Sequence, residues 1–475
     1  MLQFHDLLSV ATLLHLAIAL PVCGHILLNK ASESVAIGWI ALVLFSPYVG
    51  SGLYWMFGIN RIARKAQRFR GGWRAESLPS LEDHDTKAAD DAGLQEYQIF
   101  QFAQSIHGTP FVDHNHIEPL ITGDAAYPSM LEAINTADTS IALSVYIFDD
   151  DETGLQFVDA LTAAHDRGVN VFVLLDDMGL RYSQRPVDSK LKQSGVSTAR
   201  FIPRRLKYIP VLNLRNHRKL MVVDGHTGFI GGMNIRHGNV LSAKPRNPVQ
   251  DIHFRVSGPV LDQFSTLFEE DWHFAAGEII DLPRLDPNET KIGVVRARLV
   301  PDGPDNYFEK LQWTILGALA VSQKSVRIMT PYFLPNDVLA SALMVTALRG
   351  VSVEVLIPKK LDIPVIDWAM TAKFQRLIEH GVKILRTPPP FDHSKIMVVD
   401  GVWSLVGPTN WDQRSLRLNF EANLECYGSA FSGEVEAYFE SRKRTATPVS
   451  LTNLRQMSRF SRLRNSLAHL FSPYL

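Results

Sequence analysis

The stretch HSKIMVVD at residues 393–400 has a near-duplicate at 217–224, HRKLMVVD, and this pair decides the fold. Six of the eight positions are identical, and both copies run on through a glycine-containing segment to an asparagine: GHTGFIGGMN ends at Asn234 and GVWSLVGPTN at Asn410. The offset from 217 to 393 is 176 residues, the same as from 234 to 410. A spacing held over that distance implies a duplicated domain with one shared site.

The flanking sequence repeats as well. TSIALSVYIF, GLQFVDALTAAHDRG and VNVFVLLDD read as strand, helix and strand in the first half; SVRIMTPYF, NDVLASALMVTALRG and VSVEVLI read the same way in the second. Such alternation predicts an α/β protein with two similar domains, each a mostly parallel sheet flanked by helices, related by an approximate two-fold. The expected boundaries are 96–285 for the first repeat and 286–445 for the second.

The N-terminus differs in kind. Residues 7–28 and 35–57 contain no Asp, Glu, Lys or Arg and reach the roughly 20 apolar residues that a membrane-crossing helix needs. They predict a transmembrane hairpin within 1–60, favoured over a cleaved signal peptide because MLQFHD carries no basic residue and a second apolar run follows at once. A basic segment then spans 61–74 (Arg61, Arg64, Lys65, Arg68, Arg70, Arg74), and an acidic linker completes 61–95. The charge bias predicts that the bulk of the chain lies on the cytoplasmic face.

Across 475 residues the formal charge is −1, which gives no global case for nucleic acid. The two cysteines, Cys23 and Cys426, lack the spacing of a zinc site or a disulfide framework. Chemistry therefore rests on the repeated motif.

Side chains alternate along a strand, so His217 and Lys219 face one way and Arg218 the other; His393 and Lys395 follow suit. Asp224 and Asp400 fall on the opposite parity, at the strand ends. Two imidazoles, two ammonium groups and the amides of Asn234 and Asn410 around one pocket suit a phosphodiester, whose transition state spreads charge over several oxygens. No metal or other cofactor is required, because the cations are covalently present. An imidazole nucleophile needs an acceptor on its other nitrogen, and one candidate lies downstream of each motif: Asp251 in VQDIHFRV and Glu421 in LNFEANLE.

These residues resemble the HKD motifs of the phospholipase D superfamily. SVYIFDDDETG, TPYFLPNDVL, NWDQRSLRLNFEANL and the ending LAHLFSPYL are similar to bacterial cardiolipin synthases over nearly the whole chain. The resemblance implies phosphatidyl transfer from one phosphatidylglycerol to another through a phosphohistidine, giving cardiolipin and glycerol. It assigns His217 as nucleophile and His393 as acid then base, the symmetry of the repeats allowing the reverse, with Lys219, Lys395, Asp224 and Asp400 completing the catalytic set. A phospholipase D-type hydrolase or headgroup-exchange enzyme would use the same site. The implied partners are phospholipid and membrane, not nucleic acid; oligomeric state and second substrate stay open. Two positions depart from the family pattern: Pro408, where serine is usual, and Gln413, where proline is common.

Three further features have two readings each. The run 199–223 holds seven basic residues and no acidic one, which suits either an anionic headgroup or a solvated loop. DDDE at 149–152 precedes a helix, where acidic residues favour the N-terminus over a metal site. The C-terminal segment, 446–475, predicts a basic amphipathic helix with Met457, Phe460, Leu463, Leu467, Leu470 and Phe471 on one face and Arg455, Arg459 and Arg462 on another. It would lie in a membrane interface or on the protein's own surface.

Overall fold

The computed structural model describes residues 4–30, 33–58, 106, 109–182, 187–201, 214–286, 292–305 and 307–472. The basic segment 61–74, the acidic linker at 76–94 and residues 202–213 of the basic run lie outside the described residues. The chain divides into a small N-terminal unit and a large unit holding both motifs.

In the N-terminal unit, helix Phe4–Asn29 covers the first apolar segment. The second is not one helix: it runs Glu33–Phe45, breaks at Ser46, resumes at Pro47–Leu53 and ends in a wide turn, Tyr54–Gly58. Pro47 is the cause. It has no N–H to give and pushes Ser46 out of helical geometry, to φ −145° and ψ 75°. Tyr54 packs with Ala19, Ile26, Ala36 and Val43, and its hydroxyl lies 2.9 Å from His25 Nδ1. Among the described residues no helix is long and apolar enough to cross a membrane, which corrects the expectation of two unbroken spans.

The large unit is built on one 16-stranded sheet and two short two-stranded ones. Its strands in the first repeat are β1 (Val112–Ile121), β2 (Ser140–Val145), β3 (Asn170–Leu175), β4 (Ser197–Arg200), β5 (Arg215–Asn216), β6 (Leu220–Val223), β7 (Thr227–Gly231), β8 (Val249–Gln250) and β9 (Ile252–Ser257). The second repeat contributes β10 (Val295–Asp302), β11 (Ser325–Met329), β12 (Phe333–Leu334), β13 (Ser352–Pro358), β14 (Lys383–Thr387), β15 (Phe391–Asp392), β16 (Ile396–Val399), β17 (Trp403–Val406), β18 (Trp411–Asp412), β19 (Asn419–Tyr427) and β20 (Thr447–Pro448).

Read outward from the centre, the order is β1-β9-β7-β6-β2-β3-β4 on one side and β10-β19-β17-β16-β11-β13-β14 on the other, with β1 paired to β10. As far as β4 and β14 the halves are equivalent strand for strand, as a duplication requires, and β20 adds one antiparallel strand beyond β14. They are fused into a single continuous sheet, not two.

That sheet is mixed, which corrects the mostly parallel expectation. β2-β3-β4 and β11-β13-β14 run parallel and come from the strand-helix-strand units, and the short β5 runs parallel to β19; the other pairings of the sheet are antiparallel. The motif strands β6 and β16 pair antiparallel with both neighbours. The reason is local: Asp224-Gly225 and Asp400-Gly401 all take positive φ, the geometry of the tight hairpin turn that Asp-Gly favours. Helices Glu152–Asp166 and Asp337–Leu348 cover the parallel strands, as the apolar spacing predicts. β2 is buried along its whole length and β13 is buried from Val353 onward, which accounts for their unbroken apolar runs.

Candidate active site

Each motif histidine sits just after a short strand that crosses to the other repeat. β5 pairs in parallel with the start of β19, and His217 N–H donates to the Phe420 carbonyl at 2.9 Å. β15 pairs with β8 in the same way, and His393 N–H donates to the Gln250 carbonyl at 2.7 Å. The two histidines thereby enter one cavity of about 930 Å³, whose wall also carries Asn234 and Asn410.

The carboxylates cross over as well. His217 Nδ1 lies 3.0 Å from Oε1 and 3.1 Å from Oε2 of Glu421, and His393 Nδ1 lies 2.8 Å from Asp251 Oδ2. Each histidine is thus held by the acidic residue that follows the other motif. A carboxylate on Nδ1 keeps the proton there and leaves the Nε2 lone pair toward the cavity.

Lys219 and Lys395 are buried, and each ammonium donates to the carbonyl of its own histidine. Burial brings Lys219 down to about 7 and Lys395 to about 8. His217 is held well below its ordinary value by burial and then by Lys219 and Lys395. His393 is also lowered by burial and Lys395, but the Asp251 hydrogen bond works against this. Burial raises Asp251, yet the His393 hydrogen bond and nearby positive charge leave it below the usual carboxylate range. Glu421, by contrast, is pushed up to about 7 by burial, with Lys219 pulling the other way. Both imidazoles are therefore held toward the neutral form, but unequally: Asp251 opposes this on His393, and His217 is lowered the further.

Asn234 Oδ1 accepts from the Ile147 N–H at 3.1 Å, which fixes its amide; Asn410 Oδ1 is buried with no partner among the described residues. Asp224 and Asp400 do not line the cavity but follow the ends of β6 and β16. Asp224 accepts from the backbone N–H groups of Asp138, Thr139 and Ser140, and Asp400 from those of Gln323, Lys324 and Ser325, all at 2.7–2.9 Å. They tie the far ends of β6 and β16 to the starts of β2 and β11. Motif parity already placed them away from the histidines.

Several cavity residues were not anticipated. Tyr146 meets the His217 ring edge-on, with centroids 5.0 Å apart, and its hydroxyl accepts from Arg215 at 3.2 Å. Arg215 Nε is buried without a partner among the described residues. Tyr332 donates to Asp362 at 2.7 Å. A tyrosine at the same place in SVYIF and TPYFL was the available signal. Beside Pro408, Thr409 Oγ1 accepts from Asn423 at 2.6 Å and also hydrogen-bonds Glu421, so a hydroxyl still supports that carboxylate. Of the acidic run, Asp151 caps helix Glu152–Asp166 by accepting from Gly154 N–H at 3.0 Å, and Asp149 pairs with Arg236 at 3.0 Å.

Fold and site define a duplicated α/β protein able to handle an anionic phosphoryl centre with paired imidazoles. Residues 130–272 and 315–443 match the family model described as "Cardiolipin synthase, PLD-like domain". The chain is 30% identical to cardiolipin synthase A of Pseudomonas fluorescens, covering 95% of each chain, and 30% identical to the cardiolipin synthase of Oceanobacillus iheyensis, covering 99% of each. Among solved structures it is similar to phosphatidylserine synthase of Haemophilus influenzae, with TM-score 0.61 and 15% identity over 80% of this chain and all of that one. The chain belongs to the cardiolipin synthase family of phospholipase D-like proteins.

Proposed function

We propose that the crossed histidine dyads carry phosphatidyl transfer between two phosphatidylglycerol molecules. Family membership makes the chain a phosphatidyltransferase of the cardiolipin synthase type. The observation that carries the reading is the crossed geometry, His217 on Glu421 and His393 on Asp251 with both rings in one cavity; His217 is assigned as nucleophile because burial and the two lysines hold it the further toward the neutral form.

In the first half-reaction, His217 Nε2 attacks phosphorus and the bond to the headgroup glycerol oxygen breaks. His393 gives that oxygen its proton, and glycerol leaves. In the second, the terminal hydroxyl of another phosphatidylglycerol attacks the phosphohistidine while His393 takes its proton; the P–N bond breaks and cardiolipin forms. Lys219 and Lys395 supply positive charge to the equatorial phosphoryl oxygens, and the Asn234 and Asn410 amides add donors there. Asp251 and Glu421 hold the ring orientations.

The same reading places the enzyme at a bacterial inner membrane. The N-terminal helices turn Leu13, Leu16, Leu20, Leu27 and Ile37 outward, an apolar surface that lipid would cover. A basic stretch follows them and favours a cytoplasmic catalytic domain.

The test is product analysis with the full chain, headgroup-labelled phosphatidylglycerol vesicles and a chelator present. Cardiolipin and free glycerol are the expected products; both are lost in His217→Ala, while His393→Ala makes no cardiolipin and releases at most one glycerol per enzyme as the phosphohistidine forms. Trapping of ³²P on wild-type and His393→Ala protein, but not on His217→Ala, would identify the nucleophile. Phosphatidate without cardiolipin would replace transfer by hydrolysis.

A further inference from the structure

The C-terminal helix Arg459–Leu470 packs on helix Pro364–Glu379, but not through the face its sequence would suggest. Asn465 and Ala468 are its buried residues, and Arg464 lies over the Trp368 ring at 4.4 Å. The apolar stripe points outward: Phe460 is 76% exposed, Leu467 56%, and Leu463, Leu470 and Phe471 are exposed with them. At 3.6 residues per turn these five share one arc, bordered by Arg459 and Arg462 on one side and Arg464 on the other. No acidic residue occurs from 446 to 475. Among the described residues Arg459 and Arg462 form no ion pair.

The helix also has a direction relative to the site. Arg455 pairs with Glu379 at 2.8 Å, at the far end of helix Pro364–Glu379, while Arg464 reaches Trp368 near its start. The C-terminal helix thus runs antiparallel to it, toward Ile363 and Ile366, which line the active-site cavity. A second exposed apolar stripe, Val338, Val345 and Leu348 on helix Asp337–Leu348, has no basic residue on that helix.

We propose that Arg459–Leu470 is a docking helix that seats the cavity mouth on an anionic phospholipid surface. Its apolar arc enters the interface, and its arginines meet the phosphates. This deepens the phosphatidyl-transfer reading and rests on it for the substrate, not for the lipid contact. An arc of aromatic and leucine side chains with arginine borders suits a bilayer interface, where burial and electrostatic attraction act together.

The N-terminal helices would bind vesicles on their own account, so the test must be specific to position. In full-length protein with Cys23→Ser and Cys426→Ala, an environment-sensitive fluorophore is placed on Leu467→Cys or on Ser466→Cys. With vesicles of phosphatidylcholine plus phosphatidylglycerol, the label at 467 is expected to shift to the blue and the label at 466 to stay aqueous. In parallel, Phe460→Glu, Leu463→Glu and Leu467→Glu combined are expected to lower turnover on vesicles by about tenfold or more, with turnover on monomeric short-chain phosphatidylglycerol unchanged.

No shift at 467 with vesicles, or equal turnover by the triple variant, would overturn the proposal. A shift that grows with protein concentration in the absence of vesicles would overturn it in favour of a second copy of this chain. If the wild type makes cardiolipin from neither substrate form, the transfer reading fails, and the fluorophore still decides the helix.

Discussion

Glu421 holds His217 from 204 residues away, both of its oxygens within 3.1 Å of Nδ1, while Asp251 holds His393 at 2.8 Å. Neither repeat carries a complete dyad, so neither is expected to act alone. Asp251→Asn and Glu421→Gln should each lower kcat by about a hundredfold, since the ring stays in place but loses its charge partner. Steady-state rates with unchanged circular dichroism check this. A single repeat expressed alone should be inactive.

The pH profile should be bell-shaped. Glu421, raised to about 7 by burial, must lose its proton to accept from His217 Nδ1, so the rate rises with pH through about 7. Lys219 and Lys395, lowered by burial to about 7 and about 8, lose their charges in that order as pH rises, and the rate falls. Glu421→Gln should remove the acid limb, and Lys219→Arg should move the alkaline limb upward, toward that of Lys395, while slowing the reaction. kcat/KM measured against pH for the three proteins tests both.

Asp224→Ala and Asp400→Ala should act on stability before chemistry. Each removes a charged acceptor of three backbone N–H bonds, at a cost of about 1–3 kcal/mol discounted for partial exposure. Burial pushes Asp224 up, but its hydrogen bonds leave it below its ordinary value of 3.8. Its charged-state stabilisation is therefore present above that value and lost as pH falls through the lower folded value. Denaturant midpoints at neutral and acid pH should converge for wild type and Asp224→Asn, and the folded fraction should keep its turnover.

Arg215→Ala should weaken substrate capture. Its guanidinium borders the cavity, touches the Tyr146 hydroxyl and leaves Nε without a partner among the described residues. KM for phosphatidylglycerol is expected to rise by roughly tenfold with a smaller change in kcat. Tyr146→Phe, which keeps the ring against His217, should have the milder effect.

Much of this molecule was legible in the chain itself. Duplication, the shared facing of histidine and lysine, and the Asp151 helix cap depend on neighbours a few residues apart, where alternation and capping act. Even the antiparallel motif strands had a local sign in Asp-Gly, outweighed in the reading by the parallel units around it. The break at Ser46–Pro47 was likewise written in a proline that apolar length concealed. Tertiary structure alone decided the rest. Which carboxylate meets which histidine, the fusion of two sheets through β1 and β10, and the entry of Arg215 into the cavity follow from pairings between distant strands. Sequence periodicity fixes which side of a strand a residue takes; only the packing of one repeat against the other fixes what it finds there.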